Sequence, residues 1–139
     1  MMYEGSSMIC EPMGKKFDDS EKVVKILRGE MLSHPMQEGF YVLALDGSSR
    51  KIYLKLIHLG TLNQSLVHPR EVFSDAVRER AAAIIIAHNH PSGTCEASRA
   101  DVQITKRIKE AGVLLGIPLL DHIIVTKEGH YSMSDEGEL

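Results

Sequence analysis

An apolar run that stops on two histidines constrains this chain more than any other stretch. Residues 82–87 read AAIIIA, and His88, Asn89, His90 and Pro91 follow at once. Alanine content alone would allow a helix here, but three consecutive isoleucines favour a strand. In an extended segment alternate side chains share a face, so His88 and His90 point the same way with Asn89 between them. Pro91 and Gly93 then turn the chain, and a helix is predicted to begin near Ser98 with Asp101 in its first turn. A carboxylate arriving from that helix completes three protein ligands and leaves a fourth position open. That is the pattern of a catalytic zinc site, whereas structural zinc sites are closed by four protein ligands.

A plainer reading stands beside each residue. Two strand-end histidines without a metal would need partners for four ring nitrogens, and the neighbouring residues are mostly Ala and Ile. Metal ligation satisfies one nitrogen of each ring together. Ser98-x-x-Asp101 also approximates a capping box, worth about 1 kcal/mol with no chemistry implied. Both readings can hold, because a cap fixes the geometry that a ligand needs.

His88-Asn-His90-Pro91, six residues, then Ser98-x-x-Asp101 resembles the JAMM (MPN+) metalloprotease signature at every defined position. The surrounding words resemble the RadC family of bacterial proteins: GTLNQSLVHPREVF upstream, AHNHPSG in the middle and IPLLDHIIV downstream. The resemblance covers about residues 36 to 134. It implies one zinc ion per chain held by His88, His90 and Asp101, and hydrolysis of a peptide or isopeptide bond through metal-activated water. Glu38, directly before FYVLALD, occupies the place of the family's general base on the first strand. Glu71 competes for that role, but it falls in the first turn of a helix, where the helix dipole accounts for it. Ser98 matches the family serine that polarises the scissile carbonyl and stabilises its oxyanion.

Composition bounds the alternatives. A length of 139 residues suits one domain with a sizeable core. The net charge of -3 and the absence of Trp argue against a DNA-coating surface, though they leave room for a local basic patch. DNA affinity is therefore expected to be weak and steeply salt-dependent. Cys10 and Cys95 make no disulfide framework or zinc ribbon, and no run approaches a membrane span, so a reduced cytoplasmic protein is expected. Cys95 is near enough in sequence to reach the metal, but reads better as a surface-loop cysteine.

Taken in order, residues 1–17 lack periodicity and read as an arm. Asp18 and Glu21 offer a capping box for a helix through about Leu32, with Val23, Ile26, Leu27 and Met31 on one face. Residues 37–46 suit a central strand, 51–59 an antiparallel return, and 68–77 a helix with Pro69 at its first position. After the strand at 81–87, a helix from Arg99 carries Val102, Thr105, Ile108 and Leu115 on one side and stops at Gly116. Strands are expected at 119–126 and 131–133. In the adjacent pair Asp121-His122, alternation forbids both from facing the metal; one could support a ligand histidine, and a satisfied core polar group is the simpler account.

The expected fold is α/β, a mixed β-sheet packed between helices, with an N-terminal arm and helix over 1–35 and the catalytic-type domain over 36–139. The resemblance implies the JAMM/MPN+ architecture, related to cytidine deaminases. Deamination itself is disfavoured, since the His-x-Glu and Pro-Cys-x-x-Cys signature is absent. Two other classes stay open: a non-catalytic MPN-type interaction module, and a RadC-like protein associated with DNA repair or recombination.

Overall fold

The computed structural model describes residues 16–31, 37–61, 67–93 and 95–139, with residues 16–19 and Met31 through their backbone alone. The elements follow in the expected order: α1 (Lys16–Met31), β1 (Gly39–Leu45), β2 (Lys51–Leu59), α2 (Pro69–Arg78), β3 (Ala83–Asn89), α3 (Arg99–Leu115), β4 (Leu119–Val125) and β5 (His130–Ser132). Residues 1–15 of the arm predicted over 1–17, the predicted helix end near Leu32 and the connection at 62–66 lie outside the described residues, as does Cys10; α1 begins at Lys16, so Asp18 is a helical residue and not its N-cap.

The five strands of the described residues form one sheet in the order β2-β1-β3-β4-β5. Only β3 and β4 run parallel, joined by the crossover through α3; the other neighbours are antiparallel. Every residue of β1 is buried, as a strand apolar on both alternating faces requires. Phe40, Val42 and Ala44 face one side with Ile84 and Ile86 of β3, beneath Val72, Phe73, Ile104 and Ile108 of α2 and α3. Tyr41, Leu43 and Leu45 face the other with Ile85, Ala87, Ile123 and Val125, beneath Val23, Val24 and Leu27 of α1. The mixed sheet packed between helices is therefore the observed architecture. Arg28 of α1 also donates to the carbonyls of Lys127 and Gly129, clasping the β4–β5 turn.

Two further expectations shift. Strand β3 starts later and runs through Asn89, so His88 is a buried strand residue and not an appendage after the strand. The buried stripe of α3 is Asp101, Ile104, Thr105, Ile108 and Gly112, while Val102 and Leu115 are exposed. Asp101 sets this rotation: a helix that buries residue 101 also buries residues three, four, seven and eleven further on. The chain leaving α3 then passes tightly over its own last turn. A Cβ on Gly112 would stand 2.5 Å from the Ile117 carbonyl oxygen, and Gly116 caps the helix in the left-handed conformation at φ 74°.

Among the described residues no helix is long and apolar enough to cross a membrane.

Candidate metal centre

The topology gathers the chemistry at one end of the sheet. Strand β3 ends there, β1 begins there because it is antiparallel to β3, and α3 starts there. Ser98 is the N-cap of α3: its side chain accepts from the Asp101 amide at 3.1 Å, and the Asp101 carboxylate Oδ2 accepts from the Ser98 amide at 2.7 Å. The capping box is thus present in full, and it aims the buried Asp101 carboxylate back at β3. A negative charge in the first helical turn is also favoured by the helix dipole.

His88 lies at the centre of the cluster. Its Nε2 stands 2.9 Å from Asp101 Oδ1 and 2.8 Å from His90 Nε2, while His90 Nε2 lies 3.6 Å from Asp101 Oδ2. The sequence-predicted trio is therefore brought together. His88 and Asp101 side chains are 1% exposed and His90 is 12% exposed, so the cluster opens to solvent past the His90 ring.

Behind His88 stands a third imidazole. His122 Nε2 lies 2.9 Å from His88 Nδ1, and His122 Nδ1 lies 2.6 Å from the Thr105 hydroxyl. Phe40 meets the His122 ring edge-on at 6.2 Å. Burial, then the neighbouring His88, push His122 down to about 3, so it is neutral at ordinary pH. Its sequence neighbour Asp121 faces the other way and accepts from the Ser132 hydroxyl and the Ser134 amide. Alternation separates the pair as expected: His122 supports the cluster, and Asp121 is a satisfied core polar group. Burial pushes Asp121 up in spite of those donors.

The donor chemistry fits a cation. Asp101 Oδ1 is buried and makes no hydrogen bond, although a ring nitrogen lies within 3 Å of it. Burial alone would push the Asp101 carboxyl up, yet His88, His90 and the Ser98 amide outweigh it and hold the group well below the usual carboxylate range. An ionised, buried oxygen whose nearest donor is poorly aligned is costly unless a positive charge sits beside it. Donors bound to one tetrahedral zinc at 2.0–2.1 Å stand about 3.3 Å apart; His88 Nε2 lies 2.8 Å from His90 Nε2 and 2.9 Å from Asp101 Oδ1, and the His90 ring reaches the other carboxylate oxygen, Oδ2, at 3.6 Å. His88, Asp101 and His122 also place donor atoms within 4.8 Å of one another, so the cluster offers a second combination of ligands.

Glu38 stands one residue before β1, half-buried. Phe40 pairs with His88 across the antiparallel ladder, so continuing the register by two residues puts Glu38 opposite His90. The backbone on both sides of Glu38 is fixed by a residue that the sequence did not flag. The Asn89 amide accepts from the Gly39 N–H at 2.7 Å and donates to the Gln37 carbonyl at 2.9 Å. Asn89→Ala leaves the buried Gly39 N–H without a partner and should cost about 1–3 kcal/mol. A denaturant midpoint equal to that of the parent would show that this clamp carries no stability.

Thr105 is a second support that the sequence does not flag, because it falls within the predicted stripe of α3; a hydroxyl one turn beyond Asp101 among aliphatic positions is the available signal. Cys95 does not join the cluster. It lies over the β4–β5 turn, where Thr126 Oγ1 is 3.9 Å from its sulfur. Glu71 is exposed in the first turn of α2, where the helix dipole accounts for it.

Comparison with known proteins agrees with this geometry. The family model described as RadC-like JAB domain matches residues 17–138. A UPF0758 protein of Methanospirillum hungatei is 48% identical over 124 residues, covering 89% of this chain and 55% of its own. UPF0758 proteins of Geotalea uraniireducens and Finegoldia magna are 48% and 47% identical, over 88% and 84% of this chain and 54% and 52% of theirs. The chain thus spans about half the length of these relatives.

Proposed function

This chain belongs to the RadC-like JAB domain family, and from that premise we propose that it is a zinc-dependent hydrolase cleaving a peptide or isopeptide bond. One observation carries the reading: a buried, ionised Asp101 oxygen without a hydrogen bond faces a histidine nitrogen at 2.9 Å. His88, His90 and Asp101 would hold one ion, and two imidazoles with one carboxylate suit zinc. When bound, zinc supplies Lewis acidity toward a carbonyl oxygen and lowers the pKa of a water to about 7.

The remaining steps belong to the chain's own side chains. Glu38 accepts a proton from the attacking water and passes it to the leaving amine, as a general base that becomes a general acid. Its half-buried position and the register that runs toward His90 support that role. His90, the most open of the three ligands, leaves room for substrate on its side. Ser98 Oγ accepts from the Asp101 amide, and an accepting hydroxyl oxygen keeps its proton to donate. That proton would stabilise the oxyanion of the tetrahedral intermediate.

A peptide or protein is the proposed substrate class. Nucleic-acid processing by two metals has less support, because such sites use several carboxylates and the cluster among the described residues holds one. The test is zinc uptake by equilibrium dialysis, followed by assay on a panel of peptide and isopeptide conjugates with and without chelator. One zinc per chain and chelator-sensitive cleavage are expected; failure to take up zinc refutes the reading.

Ser98 separates cap from catalysis. Ser98→Ala should lose about 1 kcal/mol of stability and a disproportionate share of turnover. Ser98→Asp keeps a cap oxygen but no hydroxyl donor, so full activity in that variant would leave the serine as a cap alone.

A further inference from the structure

The polar groups behind His88 form a chain whose direction can be worked out from one end. The Thr105 hydroxyl lies 2.7 Å from the Asp101 carbonyl oxygen and 2.6 Å from His122 Nδ1. A carbonyl only accepts, so the single hydroxyl proton goes to Asp101 O. Met133 Sδ, at 3.4 Å, is a weak acceptor and does not compete. The Thr105 oxygen is then an acceptor, and His122 carries a proton on Nδ1.

Neither hydrogen-bond partner of the His122 ring is an anion, and a buried cation without one is costly. His122 therefore has one N–H, and its Nε2 is bare. That nitrogen accepts from His88 Nδ1 at 2.9 Å, which places the His88 proton on Nδ1. The last consequence falls on the opposite side of the His88 ring. In the neutral form that a metal ligand takes, Nε2, 2.9 Å from Asp101 Oδ1 and 2.8 Å from His90 Nε2, is then the nitrogen that presents a lone pair to the centre of the cluster.

We infer that Thr105 and His122 form a relay that fixes the His88 tautomer, making both of them positioning residues for the metal and not ligands of it. The inference rests on the metal reading proposed above. It also chooses between the two ligand combinations. His122 Nε2 faces His88 Nδ1, the nitrogen turned away from Asp101 Oδ1, and its own Nδ1 is engaged by Thr105. Neither nitrogen is left to share an ion with His88 Nε2. The relay begins and ends on one residue: the Asp101 carbonyl receives the hydroxyl proton, and the Asp101 carboxylate faces the lone pair that results.

The test measures zinc affinity of the full 139-residue chain by competition with a chromophoric chelator. Removing an outer partner of a ligand histidine costs about 10–100-fold in metal affinity. His122→Leu should fall in that range, and Thr105→Val at its lower end. His122→Gln can place an amide oxygen near the position of Nε2, where it accepts from His88 Nδ1, so it should keep more affinity than His122→Leu. Equal affinity across all variants overturns the relay. So does a loss in His122→Leu far beyond about 100-fold, which marks a direct ligand.

Because His122→Leu alters a packed position, histidine-nitrogen NMR of the unaltered protein gives a second readout. His122 protonated on Nδ1 with an unligated Nε2 supports the relay, and zinc bound at His122 Nε2 overturns it. Should the parent take up no zinc, the metal reading fails, and the relay is still decided by the metal-free tautomers. A His122 proton on Nε2 would overturn it there.

Discussion

A chain carrying both His88→Ala and His90→Ala is expected to leave zinc equilibration with almost no bound metal, against about one ion per molecule in the parent. Two of the three proposed ligands are then gone, and a lone carboxylate retains little affinity for zinc at neutral pH. The fold should survive at a cost. His90 is the more exposed ring, and its removal opens the site without disturbing the sheet. His88 is packed between His90 and His122, with ring centroids 4.6 and 5.0 Å away. Its loss leaves His122 Nε2 buried without a donor, a penalty of about 1–3 kcal/mol. That is a fraction of the roughly 5–15 kcal/mol typical of a domain. Asp101 should also be relieved of its neighbours' influence and titrate closer to the ordinary range. Metal analysis of the dialysed protein, alongside a melting curve, checks both parts. Near-stoichiometric zinc in the double variant would mean that His122 and Asp101 hold the ion with donors outside this cluster.

The residues that could be read from sequence are those whose roles depend on short spacing. His88 and His90 alternate on one strand, and Ser98 and Asp101 lie one turn apart at a helix start, so periodicity alone places each pair. The element order follows from turn residues and apolar runs in the same way. The supports were harder to see because they come from elements far apart in the chain. His122 reaches His88 only because β3 and β4 pair in parallel, and local pattern does not reveal which strands become neighbours. Asn89 was hidden for the opposite reason. Its two neighbours carried the evident chemistry, whereas its own task, bridging Gln37 and Gly39, depends on β1 lying antiparallel alongside β3. The α3 stripe shows a third limit. Apolar spacing allows Val102 and Leu115 to face inward, but a buried carboxylate at 101 turns the helix so that they face water.

Glu38→Gln is expected to lower hydrolysis by roughly 10²–10⁴-fold, the usual loss on removing a general base, while zinc content and melting temperature stay near those of the parent. The substitution keeps side-chain length and hydrogen-bonding reach but cannot accept a proton from the attacking water. Metal content should hold because the proposed ligands come from the end of β3 and the start of α3, whereas Glu38 precedes β1. Stability should hold because the backbone around residue 38 is fixed by the Asn89 amide and by the Gly60 N–H donating to the Glu38 carbonyl, neither of which uses the carboxylate. These three readouts separate the roles that a glutamate here can have. A direct ligand would lose zinc with activity, and a purely structural residue would lose stability. A module that only binds partners would have no turnover to lose. The measurement starts with a panel of peptide and isopeptide conjugates to find one that the parent cleaves. If Glu38→Gln cleaves that conjugate at the parent's rate, the base lies elsewhere, and Glu71 is the next carboxylate to change. Its exposed place in the first turn of α2 makes Glu71→Gln a mild substitution, so any large loss of turnover there would come from chemistry and not from unfolding.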